Sequence, residues 1–176
     1  MSKKKFDIEG LPSAWKGHRM FANNLVNNFK PNVTVDLGVD YGYSLFALAE
    51  TNPGHVYGID SFDGDVHAGH HSDAYLTVTE IVKLDYKNIT LVKGYFDDVV
   101  KTWNKPIDIL HIDGLHTYEA VKNDYAKWSP HVRKGGIIMF HDTVAFPNDV
   151  GRFFNELNGE KTHFEHSAGL GVLVKQ

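Results

Sequence analysis

The stretch Val33-Thr-Val-Asp36-Leu-Gly38-Val-Asp40-Tyr-Gly42-Tyr-Ser44 decides how the chain is read. Val33 to Leu37 is apolar or β-branched apart from Asp36, as expected of a strand buried on both faces, and a helix is predicted from about Ser44 to Glu50. Between them the chain must turn sharply and approach a ligand closely, which is what Gly38 and Gly42 permit. A dinucleotide fingerprint would read G-x-G-x-x-G, but Asp40 stands where the second glycine lets a pyrophosphate reach the backbone, and Asp36 and Asp40 would repel that dianion. No Gly-Lys-Ser/Thr follows, so a nucleoside triphosphate lacks its lysine. A ligand with a cationic end suits this loop better.

Outward from the loop the same unit recurs. Apolar runs at Val56 to Ile59, Ile89 to Val92, Ile107 to Ile112, Gly136 to Phe140 and Gly171 to Val174 read as further buried strands. Helices fall between them, at about Ala74 to Asp85 and along the stripe Tyr118, Val121, Tyr125 and Trp128, whose aromatic face is read as core. Strand and helix in alternation give an α/β fold, a largely parallel sheet covered on both faces. Within residues 1–30, Trp15, Ala22, Leu25 and Phe29 share a helical face that ends at Pro31, and this segment is expected to pack across the sheet. At 176 residues, 1–176 reads as a single domain.

Composition excludes several classes. With 18 basic and 22 acidic residues there is no case for a nucleic-acid footprint. The absence of cysteine removes disulfides, thiolate metal sites and thiol nucleophiles, so any metal must use histidine or carboxylate. No apolar run approaches the roughly 20 residues of a membrane span, and the start lacks the apolar segment of a signal peptide, so a soluble, cytoplasmic protein is expected. Lys3 to Lys5 reads as a short solvated tail.

In sheets of this kind ligands bind beyond the carboxyl ends of the strands. Unusual polar residues collect there: Asp36 and Gly38, Asp60-Ser61, Tyr95-Phe96, His111-Ile-Asp113-Gly114 and His141-Asp142. Asp60, 22 residues beyond Gly38, is placed to accept the hydroxyls of a ribose. A ribonucleoside carrying positive charge is implied, and S-adenosylmethionine (SAM) is such a molecule. The pattern D-x-G-x-x-x-G with Asp60 resembles the class I SAM-dependent methyltransferases, which contact adenine where Tyr95-Phe96 stand. Three longer runs are similar to a subgroup often encoded beside glycosyltransferases in polysaccharide gene clusters: Asp60 to Gly69, Leu110 to Val121 and Phe140-His-Asp-Thr143. The resemblance implies a Rossmann-like, doubly wound, mostly parallel seven-stranded sheet. It also implies SAM as donor and S-adenosylhomocysteine (SAH) as product, with Asp36, Gly38, Gly42, Asp60, Ser61, Tyr95, Phe96 and Asp113 at the cofactor. The acceptor would be a small molecule, a sugar, glycan or polyol hydroxyl. Its site is expected to be shallow or completed by a second subunit, a homodimer.

Asp113, His116, His141 and Asp142 form a second constellation. Asp113 lies 28 residues before His141 and 29 before Asp142, so one helix and a return strand bring them together. Crowded carboxylates repel unless a cation sits between them, and a divalent ion resolves the conflict. The spacing is similar to that of catechol O-methyltransferase and sugar O-methyltransferases of the macrocin type, which bind magnesium through an Asp and a later acidic or amide pair. Asp113, His141 and Asp142 are the corresponding metal ligands. Those enzymes place a base three residues after the first Asp, and here that is His116, near neutral in pKa and suited to general-base work on a hydroxyl. His141 departs from the pattern: imidazole is a poor magnesium ligand, so the ion is Mn²⁺, Fe²⁺ or Zn²⁺, or His141 touches substrate.

Other side chains are weighed beside these. His111 is read as a hydrogen-bonded core histidine, His67, His70 and His71 as a loop that lines the acceptor pocket or binds metal adventitiously, and His18 as closing over the cofactor. Two competing functions fit parts of the pattern: a non-haem iron oxygenase using His111, Asp113 and His141, and a non-catalytic SAM- or SAH-binding protein.

Overall fold

The computed structural model describes residues 6–176. The tail at Lys3 to Lys5 lies outside them. Two short 3₁₀ turns, Ile8–Gly10 and Ala14–His18, lead into α1 (Arg19–Phe29). That helix ends on Lys30 in the left-handed region, one residue before Pro31. The chain then runs through β1 (Val33–Leu37), α2 (Tyr43–Ala49), β2 (His55–Asp60), α3 (Ala74–Asp85), β3 (Ile89–Lys93) and α4 (Phe96–Val99). It continues as β4 (Ile107–Ile112), α5 (Tyr118–Trp128), β5 (Val132–His141), α6 (Val150–Glu156), β6 (Lys161–Phe164) and β7 (Leu170–Val174). The seven strands form one sheet in the order β3-β2-β1-β4-β5-β7-β6. The pairs among β1 to β5 are parallel, and β7 runs antiparallel to both β5 and β6. This is the Rossmann-like, doubly wound α/β fold, and its order reverses between β1 and β4, where a crevice opens above the strand tips.

Two apolar layers cover the sheet. On one face Trp15, Ala22, Val26, Phe46 and Met139 belong to a core fed by the N-terminal turns, α1, α2 and α3; on the other Val35, Leu37, Trp128, Phe140 and Phe153 pack beneath α5 and α6. Every residue of α2 is buried, because α1 covers the helix from outside while the sheet holds it from within. The N-terminal segment is therefore part of one sheet face and carries Trp15 to the strand tips.

Two elements differ from expectation. Lys161–Phe164 is a strand without an apolar run: it sits at the sheet's edge and is largely exposed, so its sequence carries no burial signal. Asp108, inside the apolar β4, is a structural acid: its Oδ2 accepts the backbone N–H groups of Asn32 and Val33 at 2.8 and 2.9 Å, and Oδ1 takes the Arg133 guanidinium. It ties the entry of β1 to β4 and β5.

Candidate active site

The glycine loop is built by close approach. Gly38 has φ +93°, and a Cβ there would lie 1.8 Å from the carbonyl oxygen of Asp113, so the two strand tips touch backbone to backbone. Asp60 organises the loop from the next strand: Oδ2 accepts from the N–H groups of Val39 and Asp40 at 2.8 and 2.9 Å, and Oδ1 from Phe62 at 2.7 Å. A carboxylate has about four acceptor positions, so roughly one remains for a ligand. Burial pushes the Asp60 carboxyl above its usual range, against the pull of these donors.

Above the loop opens a cleft of about 710 Å³. Gly38, Asp60, Ser61, Tyr95, Phe96 and Asp113 all line it, together with Trp15, Asn123 and Asp124, which were not anticipated there. Gly42 and Asp36, both expected at the cofactor, do not. Gly42 starts α2 at φ +86° with its Cα against the Phe46 ring, 2.7 Å from where a Cβ would stand; it serves packing. Asp36 is fully buried on the α2 face of β1, its oxygens taken by the Ser44 hydroxyl at 2.9 Å and His111 Nδ1 at 2.6 Å.

Trp15 completes that buried chain, its indole N–H donating to His111 Nε2 at 3.1 Å. An indole can only donate, so Nε2 is the acceptor and Nδ1–H donates to Asp36. His111 is a core histidine with both ring nitrogens engaged and none left for a metal, which takes it out of the oxygenase ligand set.

At the other end of the cleft Asp113, His141 and Asp142 each offer a ligand atom, all within 4.8 Å of one another. His141 Nε2 donates to the Ser167 carbonyl at 3.0 Å, leaving Nδ1 facing Asp142 Oδ2 at 3.2 Å and Asp113 Oδ2 at 3.4 Å. Such a bond to the outer nitrogen is the usual way to orient an imidazole ligand. The Ser167 carbonyl is presented by three successive left-handed residues, Ser167, Ala168 and Gly169, at φ 49°, 66° and 92°. Asp142 is also left-handed, at φ 64°, a costly conformation for a residue with a side chain. Two carboxylates and one available imidazole nitrogen fit a divalent ion of the manganese, iron or zinc type better than magnesium.

His116 lies across from them, Nε2 at 2.8 Å from Asp142 Oδ2 and 3.4 Å from Asp113 Oδ1, its ring stacked on Phe146. Burial opposes charge on all four groups, and their mutual attraction outweighs it. His116 is pushed up to about 9 and His141 to about 10, while Asp113 and Asp142 are held below the carboxylate range. The near-neutral His116 expected from sequence is thus corrected: between two carboxylates it is an imidazolium at neutral pH. It becomes a base only when another cation takes over their charge.

His18 is also displaced from its expected role. It is fully buried beside Trp15 and His141, outside the cleft, with Nε2 3.2 Å from the same Ser167 carbonyl, and burial lowers it to about 4. The loop after β2 does reach the site. His67 packs on Phe146 and His116, His71 Nδ1 meets Asp40 Oδ1 at 2.7 Å, and the Tyr95 hydroxyl donates to Asp63 at 2.6 Å, so contacts from three sides hold the loop across the cleft.

A methyltransferase-domain family model matches residues 35–143, well over half the chain, and the chain belongs to that family. Relatives are similar over long stretches: protein y4gI of Sinorhizobium fredii is 28% identical over 172 residues, 92% of this chain and 19% of its own length. Protein R132 of Acanthamoeba polyphaga mimivirus is 31% identical over 132 residues, 71% of this chain and 58% of its own. The chain thus spans less than two thirds of either. Among solved structures, the O-methyltransferase TomG of Streptomyces achromogenes, in complex with SAM, superposes with TM-score 0.67 at 14% identity, covering 93% of this chain and 88% of that one. An O-methyltransferase of Bacillus cereus in complex with SAH gives 0.69 at 14% identity, covering 90% and 81%. At such identities the shared property is the fold.

Proposed function

We propose that the chain is a SAM-dependent O-methyltransferase acting on an uncharged hydroxyl compound, a sugar, glycan or small polyol, with a divalent ion held by Asp113, His141 and Asp142. The observation that carries this is the convergence of those three residues and His116 at one end of a cleft whose other end has Asp60, Tyr95 and Phe96. Further support comes from the SAM and SAH complexes of the two structural neighbours and from the charge of the cleft, where no Lys or Arg is among the described lining residues. A phosphorylated or carboxylated acceptor would find no lysine or arginine there to meet it.

When bound, SAM supplies an electrophilic methyl group and the ion lowers the pKa of a coordinated hydroxyl. The chain does the rest. Asp60 keeps one acceptor position for a ribose hydroxyl, while Gly38 and Gly114 let the strand tips and the Phe96 ring close together beneath the cleft, where any Cβ would collide. Asp113 and Asp142 orient the acceptor oxygen, and His116 takes its proton at Nε2 once their charge is shared. Trp15 and the loop after β2 form part of the cleft wall around these groups.

Calorimetric titration with SAM and SAH, with Mn²⁺ or with EDTA, tests the binding, and transfer of labelled methyl to a panel of neutral glycosides and polyols tests the reaction. Binding of both adenosyl compounds and chelator-sensitive transfer are expected. Failure to bind either compound would remove the proposal; transfer indifferent to EDTA and to Asp142→Ala would remove the metal.

A further inference from the structure

We propose that His18 is a positioning residue: by locking the turn between β6 and β7 it holds His141 and Asp142 in the geometry that lets them share an ion with Asp113. The proposal rests on the metal reading of the site and adds the device that keeps the ligands in place.

That turn, residues 165–169, is a costly piece of backbone. Ser167 and Ala168 are left-handed in spite of their side chains, and such conformations persist only where the surroundings over-determine them. Its carbonyl groups face the site. That of Ser167 takes the His141 Nε2–H at 3.0 Å, which leaves Nδ1 toward the two carboxylates. That of Ala168 takes the backbone N–H groups of Val144 and Ala145 at 2.9 and 3.0 Å, just beyond the left-handed Asp142. Two of the three ligands thus depend on where the turn sits.

The opening segment fixes it from the other side. His18 Nε2 lies 3.2 Å from the Ser167 carbonyl, and since a carbonyl only accepts, Nε2 carries the proton. His166 Nε2 donates in return to the Gly17 carbonyl at 3.3 Å. Gly17 is bare enough for the turn to press on it: a Cβ there would stand 2.2 Å from Ser167 Oγ and 2.9 Å from His166 Cδ2. His18 itself is fully buried among the rings of Trp15, His141, Phe164 and His166. Burial keeps it neutral, so Nδ1 is a lone pair that meets no donor. A phenylalanine would fill that aromatic niche without leaving a buried polar atom unmet. What the imidazole adds is the one bond it makes, to the carbonyl that orients His141.

The test titrates Mn²⁺ alone, by calorimetry, into the wild-type protein, His18→Phe and His18→Gln, with SAH titrations and melting curves alongside. Phenylalanine keeps a ring and loses the donor, whereas the glutamine amide can return an N–H to the Ser167 carbonyl. His18→Phe should bind Mn²⁺ roughly ten- to a hundred-fold more weakly, the usual effect of removing a partner one step behind a ligand, with SAH affinity and melting temperature held. His18→Gln should recover most of the loss. Wild-type Mn²⁺ affinity in His18→Phe overturns the proposal. So does a loss that glutamine fails to reduce, or one matched by an equal loss of SAH affinity, for then His18 serves packing alone. A wild type that binds SAH but no Mn²⁺ is a different result, the failure of the metal reading itself, and the proposal falls with it.

Discussion

Replacing Asp124 with asparagine should make the ligand-free protein more stable at pH 8 and leave it little changed near pH 4. The folded-state carboxyl is pushed from an ordinary 3.8 up to about 6, first by burial and then by the nearby charge of Asp97, with Asn123 and Lys127 pulling the other way. Between these values the folded protein keeps a proton that the unfolded chain has released. Stability associated with the neutral acid is therefore fully present below the unfolded value and lost as pH rises through the folded one. At about 1.4 kcal/mol for each pH unit in that window, the loss amounts to about 3 kcal/mol, a large share of a domain's margin. An amide of the same shape has no proton to lose, so the variant should escape the penalty. Urea unfolding of both proteins at several pH values, followed by circular dichroism, would read this as a gap in midpoint that opens from about pH 4 to pH 7. A gap that stays constant across that range, or a wild type that is the more stable at pH 8, would refute the argument.

Trp15→Phe should leave His111 Nε2 without its donor inside the core and cost about 1 to 3 kcal/mol, seen as a lower melting temperature; an unchanged transition would count against the buried chain. Asp108→Ala strips two backbone N–H groups and Arg133 of their acceptor at the entry of β1, and about 3 kcal/mol of stability should go with it in urea unfolding. Gly38→Ala drives a Cβ to within 1.8 Å of the Asp113 carbonyl, so the two strand tips must separate and SAH affinity measured by calorimetry should collapse; full affinity would contradict the close-approach account. His116→Ala should lower turnover roughly a hundred- to ten-thousand-fold with SAH binding nearly intact, and equal losses in both would exclude it as the base.

Most strands were legible because they are buried on both faces and so write their positions as runs dominated by Val, Ile and Leu, as in Ile107 to Ile112, where Asp108 and His111 are the polar interruptions. Lys161–Phe164 was not, since an exposed edge strand needs no apolar residue. Clustering of polar residues at the strand tips located the cleft, but not where each side chain points. Val35 and Leu37 lie in the core beneath α5, so pleating turns Asp36 to the opposite face, where it meets His111 instead of the cleft. Asp124 was hidden for a related reason: in Tyr118, Val121, Tyr125 and Trp128 the helical stripe is conspicuous, and a single acid beside it reads as solvent-facing until the missing side chain of Gly114 is seen to open a path. The spacing that brings Asp113, His141 and Asp142 together was readable, whereas the imidazolium state of His116 depends on distances of 2.8 and 3.4 Å that no spacing encodes.

The Ser167 carbonyl accepts from His141 and from His18, side chains that come to it from sequence separations of 26 and 149 residues. One oxygen atom thereby pins the opening turns of the polypeptide and its closing hairpin to the same rim. Loosening either stretch, by a graft, a deletion or a heat-frayed ribbon, would be felt as a freed imidazole at the heart of the site long before the sheet itself gave way.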